Sequence, residues 1–160
     1  MIGTYPIKFF IADDIKELCE SVEMNIKNLA SYYKIDSQDI VIHKVFTDHA
    51  YDHGCDAVSN GFIPDICIFD LVFNGYTGLD LYKYIVTETT IKPYVCIYTG
   101  VESTYSKRKD AQMLCSESNG LAEIIQKPNI EAVLLWISRI FEKEYKLVRT
   151  INSKDPFDML

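Results

Sequence analysis

The chain has 160 residues, a formal charge of −7 and a pI near 4.9, with 48% of its residues apolar and 24% charged. That length suits one domain burying about two-thirds of the surface its unfolded form exposes, and the composition is that of an ordered globular protein. The acidic balance argues against a nucleic-acid surface supplied by this chain, no apolar stretch is long enough to span a bilayer, and MIGTYPIKFF lacks the form of a signal peptide.

In chain order, the first strand is predicted at about 7 to 12 and a helix at about 14 to 31. Ile15, Leu18, Cys19, Val22, Ile26 and Leu29 recur there at helical spacing, so one face packs on a sheet. After YYKIDSQD, a second strand runs near 40 to 46 and a short helix near 48 to 59. Asn60, Gly61 and Pro64 punctuate the way to a third strand at 66 to 70. The loop FNGYTG leads to a helix at about 78 to 88, and Pro93 precedes a fourth strand at 94 to 99. A polar helix near 103 to 116 and the turn SNG bring the chain to a fifth strand at 121 to 126. Asn129 is placed to cap a last helix at 130 to 147. Residues 1–148 read as one domain and 149–160 as a tail or the start of a linker. Cys19, Cys55, Cys67, Cys96 and Cys115 are odd in number and widely spaced, which reads as reduced thiols of a cytoplasmic protein.

Strand followed by helix, five times over, predicts a parallel α/β sheet. Four of its strands end in polar residues: Asp13 and Asp14 after the first, Asp70 after the third, Thr99 with Gly100 after the fourth, Lys127 with Pro128 after the fifth. Open α/β sheets bind ligands at the carboxyl ends of their strands, so these residues meet in one crevice. Carboxylates, a hydroxyl and an ammonium gathered there suit phosphoryl transfer, in which catalysis is mostly positioning and neutralisation of charge. Asp70 is the candidate nucleophile, and Asp13 and Asp14 supply the oxygen ligands magnesium prefers. Singly, each element has a plainer reading. An Asp pair can cap a helix, Thr-Gly is ordinary turn chemistry, and Lys-Pro is an ordinary helix stop.

In this order and at these strand ends, the residues resemble the receiver domain of two-component response regulators, over roughly residues 6 to 145. DLVFNGYTGLDL also resembles that family's loop after the phosphoacceptor, including Gly78 at the opening of the next helix. The resemblance implies a flavodoxin-like (βα)5 doubly wound parallel sheet with strand order 2-1-3-4-5. It implies phosphorylation of Asp70, with Mg2+ held by Asp13, Asp14, Asp70 and the backbone carbonyl of Val72. Thr99, the Gly100 amide and Lys127 would bind phosphoryl oxygens. The donor would be a histidine kinase or histidine phosphotransfer protein. Output would pass through the face of the fourth helix, fifth strand and last helix to a protein target, an output domain or a second copy. No turnover on an external substrate is expected.

Departures from the family pattern bear on signalling. Where many receivers carry an aromatic residue three positions before the lysine, this chain has Ile124, which has no ring to swing. Tyr98, Tyr105, Ile124 and Trp136 are therefore the candidates for a signalling surface, with Tyr76 a further substitute. Asn74 stands where proline is usual. Val72 and Val101 occupy positions that tune water access, and as branched apolar residues they predict a long-lived phosphoaspartate. The alternative reading is an interaction module that uses the same fold without phosphorylation. A haloacid-dehalogenase-type phosphatase fits less well, since it wants a second Asp where Val72 stands. Lys107, Arg108 and Lys109 read as a solvated helix face, and His49 and His53 as surface histidines at a spacing that could also hold a metal.

Overall fold

The computed structural model describes residues 2–47, 49–73, 76–100 and 105–149. The elements run β1 (Ile7–Ala12), α1 (Lys16–Tyr32), a 3-10 turn (Ser37–Asp39), β2 (Ile40–Val45), α2 (Ala50–Ser59) and β3 (Ile66–Phe69). There follow β4 (Val72–Phe73), β5 (Tyr76–Thr77), α3 (Gly78–Thr89), β6 (Tyr94–Thr99), α4 (Tyr105–Glu117), β7 (Ala122–Gln126) and α5 (Ile130–Glu144). Among the described residues, five strands form one sheet in the order β2-β1-β3-β6-β7, every pair parallel. Counting only these sheet strands, the order is the expected 2-1-3-4-5. The remaining two, β4 and β5, make a separate antiparallel ladder where the sequence predicts a loop.

The strands carry apolar side chains on both faces because helices cover both faces. Ile7, Phe9 and Ile11 of β1, Ile66 and Ile68 of β3, and Tyr94, Cys96 and Tyr98 of β6 point to one layer. There they meet Val22 and Ile26 of α1 and Val133, Ile137 and Phe141 of α5. The alternate residues Phe10, Ala12, Cys67, Phe69, Val95 and Ile97 point to the other layer, against Val58 of α2, Leu81 and Ile85 of α3 and Ala111 of α4. Each fully buried Phe or Ile contributes about 1.5–3 kcal/mol relative to exposure. Phe10 anchors its layer through edge contacts with Phe69, Phe62 and His43, the ring centroids lying 5.5, 5.7 and 5.3 Å away.

Helix boundaries follow local chemistry. Asn129 caps α5 by accepting the Ala132 N–H at 3.2 Å, as expected. α5 ends at Glu144, short of the expected 147, because Lys146 turns into the left-handed region (φ 55°) and the Leu147 N–H returns to the Phe141 carbonyl. α1 begins at Lys16, and Ile15, expected on the packed face, is the N-cap residue and 49% exposed. It sits before the helical period starts, so the spacing does not govern where its side chain points. No described helix is long and apolar enough to cross a membrane.

Candidate functional site

From β1 the chain passes to β2 on one side and then crosses back to β3 on the other, so a crevice opens beyond the carboxyl ends of β1 and β3. Backbone hydrogen bonds carry the sheet one residue past each strand at this edge. The Asp13 N–H donates to the Val45 carbonyl at 3.0 Å, that of Asp70 to Ala12 at 2.9 Å, and that of Lys127 to Thr99 at 2.8 Å. The side chains at 13, 70 and 127 are thus placed by the sheet itself rather than by free loops.

Asp13, Asp14 and Asp70 each offer a carboxylate oxygen within 4.8 Å of the others; Asp13 is buried, Asp70 half-buried and Asp14 exposed. Lys127 Nζ lies 2.7 Å from Asp13 Oδ2 and 3.4 Å from Asp70 Oδ2. The other oxygens are held by backbone: Asp13 Oδ1 accepts from the Ile15 N–H at 2.9 Å and Asp70 Oδ1 from the Leu71 N–H at 2.7 Å. The Asp pair does not cap α1, whose N-cap residue makes no side-chain cap bond.

Burial pushes the Asp13 carboxyl up to about 6, assisted by the Asp70 charge and opposed by the hydrogen bonds from Lys127 and Ile15. Burial alone would lower the Lys127 ammonium, yet its hydrogen bond to Asp13 and the charges of Asp13 and Asp70 hold it above its ordinary value. One ammonium cannot neutralise three carboxylates, so with all of them ionised the cluster keeps surplus negative charge. All-oxygen donors, close spacing and unneutralised charge match what a small hard divalent cation requires.

Thr99 is buried at the end of β6, and among the described residues a side chain at Gly100 would meet nothing within 4 Å. Val72 is half-buried in β4, one residue beyond Leu71. The expected signalling surface is corrected at two positions. Trp136 is only 4% exposed, its ring edge-on to Tyr94 with centroids 6.4 Å apart. It lies in the core because α5 presents a wide apolar stripe to β6 and β3, wider than the Val133, Ile137 and Ile140 positions alone. Tyr98 is equally buried, and its ring lies under Lys127 Nζ at 5.9 Å, so it belongs to the floor of the site. Ile124 is half-buried against the α2, α3 and α4 layer. Tyr105 opens α4, but its side chain lies outside the described part, as do Lys107's side chain and residues Asn74 and Val101. His49 and His53 face each other at 6.4 Å, and among the described residues only the aspartate trio forms a group that could hold a metal.

Two features of the site were not anticipated. Thr77 and Asp80 form a reciprocal capping box at the start of α3, a T-x-x-D signature readable in TGLD. Gly78 sits so close to the phosphoacceptor candidate that a Cβ there would lie 2.3 Å from the Asp70 carbonyl oxygen. Only the fold reveals that approach.

No family model matches the sequence, and no curated protein matches it. Solved structures do. A response regulator receiver domain protein from Clostridium thermocellum aligns over 86% of this chain and 95% of its own, with TM-score 0.55 and 19% identity. A receiver protein from Sinorhizobium medicae aligns over 86% and 95%, with TM-score 0.60 and 12% identity. The fold is that of a CheY-like receiver domain. A BeF3-activated DrrB receiver domain also aligns, over 86% of this chain and 98% of its own, with TM-score 0.58 and 19% identity. At these identities the likeness is one of fold. Within this receiver fold, the crevice beyond β1 and β3 holds the aspartate trio and Lys127.

Proposed function

We propose that this chain is a phosphoacceptor receiver domain of two-component signalling, phosphorylated on Asp70 by a histidine kinase or histidine phosphotransfer protein. One observation carries the reading: three carboxylates within 4.8 Å, two of them bridged by Lys127, at the switch point of a receiver-type sheet. Asp13, Asp14, Asp70 and the Val72 carbonyl would hold Mg2+, which their oxygen chemistry and surplus charge fit. When bound, magnesium would neutralise charge on the transferring phosphoryl oxygens.

The chain's own residues divide the remaining work. The Leu71 N–H engages Asp70 Oδ1, which leaves Oδ2, on the Lys127 side, as the attacking oxygen. A new bond forms from Oδ2 to phosphorus while the phosphorus–nitrogen bond of a phosphohistidine breaks, and the imidazole leaves with the electron pair and takes up a proton. Lys127 moves from balancing Asp70 to balancing a phosphoryl oxygen, and the Thr99 hydroxyl and Gly100 amide donate to another. Buried Ala12, Phe69 and Tyr98 keep water from beneath the site, which strengthens these interactions.

Output would pass through the α4, β7 and α5 face to a protein target, an output domain or a second copy, in a cytoplasmic setting and without turnover on an external substrate. The test is incubation with acetyl phosphate, with and without magnesium, read by phosphoprotein gel mobility. A magnesium-dependent, base-labile shift that vanishes in Asp70→Asn supports the reading. No shift together with no magnesium binding turns it toward an interaction module that works without phosphorylation.

A further inference from the structure

The chain leaving Asp70 does not run straight into α3. It folds back first as the β4–β5 ladder, with Val72 opposite Thr77 and Phe73 opposite Tyr76. The base of this hairpin is closed by the Gly78 N–H on the Leu71 carbonyl at 3.0 Å, and its exit is fixed by the Thr77–Asp80 capping box. Its outer end is tied to the body of the fold at Tyr76. That ring lies parallel to Tyr51 of α2, with centroids 4.1 Å apart and planes within 4°. α2 is a firm wall for it: Ala50, Gly54 and Val58 are buried, and a Cβ at Gly54 would lie within 2.9 Å of Leu81 of α3.

Leu71 links this hairpin to the chemistry. Its N–H orients Asp70 Oδ1 at 2.7 Å and its carbonyl closes the hairpin base, so a shift of the hairpin turns the Asp70 carboxylate and moves the Val72 carbonyl with it. Tyr76 keeps 46% exposure, so core burial is not what its ring supplies. What it supplies is a fixed contact to α2. We propose that Tyr51 and Tyr76 are positioning residues for the phosphoacceptor segment, their stacked rings clipping the hairpin to α2 and so holding the Leu71–Val72 backbone beside Asp70. The proposal rests on Asp70 as phosphoacceptor with the Val72 carbonyl in the cation site, and neither ring touches the reacting atoms. Misplacement of a reacting group by even about 1 Å is costly, so a modest clip has a measurable effect.

The experiment compares Tyr51→Ala, Tyr76→Ala, the double variant, Tyr51→Phe and Tyr76→Phe. Two quantities are read: the dissociation constant for Mg2+ alone by calorimetry, and amide hydrogen exchange at Leu71 and Gly78 in the metal-free protein. An aromatic pair of this kind corresponds to about a two- to tenfold effect. The alanine variants are expected to weaken magnesium binding and speed exchange at both amides within that range. The phenylalanine variants keep the stack and stay within about twofold of wild type. The double variant falls no further than the worse single one, because both remove one contact. Ile140→Val, which loosens core packing near the far end of α5, serves as a control for general destabilisation. Unchanged exchange in the alanine variants, or the same changes in Ile140→Val, overturns the proposal. A wild type that binds no magnesium and takes no phosphoryl group overturns the reading of the site instead, and the exchange comparison still decides whether the stack holds Leu71.

Discussion

The Lys127 ammonium is hydrogen-bonded to Asp13 at 2.7 Å, closer than it stands to Asp70. In the resting site the lysine is therefore anchored on a metal-ligand candidate and only reaches toward the nucleophile. Replacing it by methionine removes a preorganised cation from the place where phosphoryl charge would develop. Lys127→Met is expected to lower the rate of phosphorylation by acetyl phosphate on the order of a hundredfold, at saturating magnesium, while magnesium binding survives. Equal loss of rate and metal affinity would instead mean that the lysine mainly organises the carboxylates.

Asp13 makes the metal-free fold less stable than it could be. Its carboxyl stands near 6 in the folded chain and 3.8 is its ordinary value, so the folded state binds the proton more tightly. Stability from this group is full below about 4 and is lost as pH rises through about 6. Asp13→Asn should therefore be the more stable protein at pH 7, by about 2–3 kcal/mol. The gap should close below about pH 4. Urea melts at several pH values check this, and added magnesium should stabilise the wild type but not the variant.

Two glycines at the site should respond in opposite ways. A methyl group at Gly78 would collide with the Asp70 backbone at 2.3 Å, while one at Gly100 would meet none of the described residues. Gly78→Ala is expected to cost about 1–3 kcal/mol and to weaken magnesium binding, because the segment carrying Asp70 must move. Gly100→Ala should change neither by a measurable amount. Thermal melts and titrations of both variants distinguish the close approach from a general intolerance of side chains at this edge.

His43 supplies an acid-sensitive point far from the phosphoryl chemistry. It packs between Phe10 and Phe62, and burial pushes its imidazole below the ordinary 6.5. The unfolded chain then takes up a proton that the folded one resists. Stability should fall as pH drops below about 6.5, down to the lowered folded value. His43→Phe should flatten that part of the pH profile relative to wild type. A profile unchanged by the substitution would show that His43 does not carry the acid sensitivity.

Much of this protein is written along the chain in a form that local physics can read. Short apolar runs bounded by Gly, Pro and Asn specify the five sheet strands, and 3.6-residue periodicity specifies the helices between them. A parallel sheet then obliges Asp13, Asp70, Thr99 and Lys127 to lie along one edge, whatever the details of packing. Properties that depend on which element lies opposite had to wait for the tertiary structure. Ile15 looks like a core residue by spacing and is exposed, because the helix starts after it. Trp136 and Tyr98 look like surface candidates and are buried, because α5 and the sheet close over them. The pairing of Lys127 with Asp13 before Asp70, the backbone contact at Gly78 and the Tyr51–Tyr76 stack join residues from different elements. No local periodicity encodes such contacts, since each exists only where two separately formed elements meet at a distance set by everything packed between them.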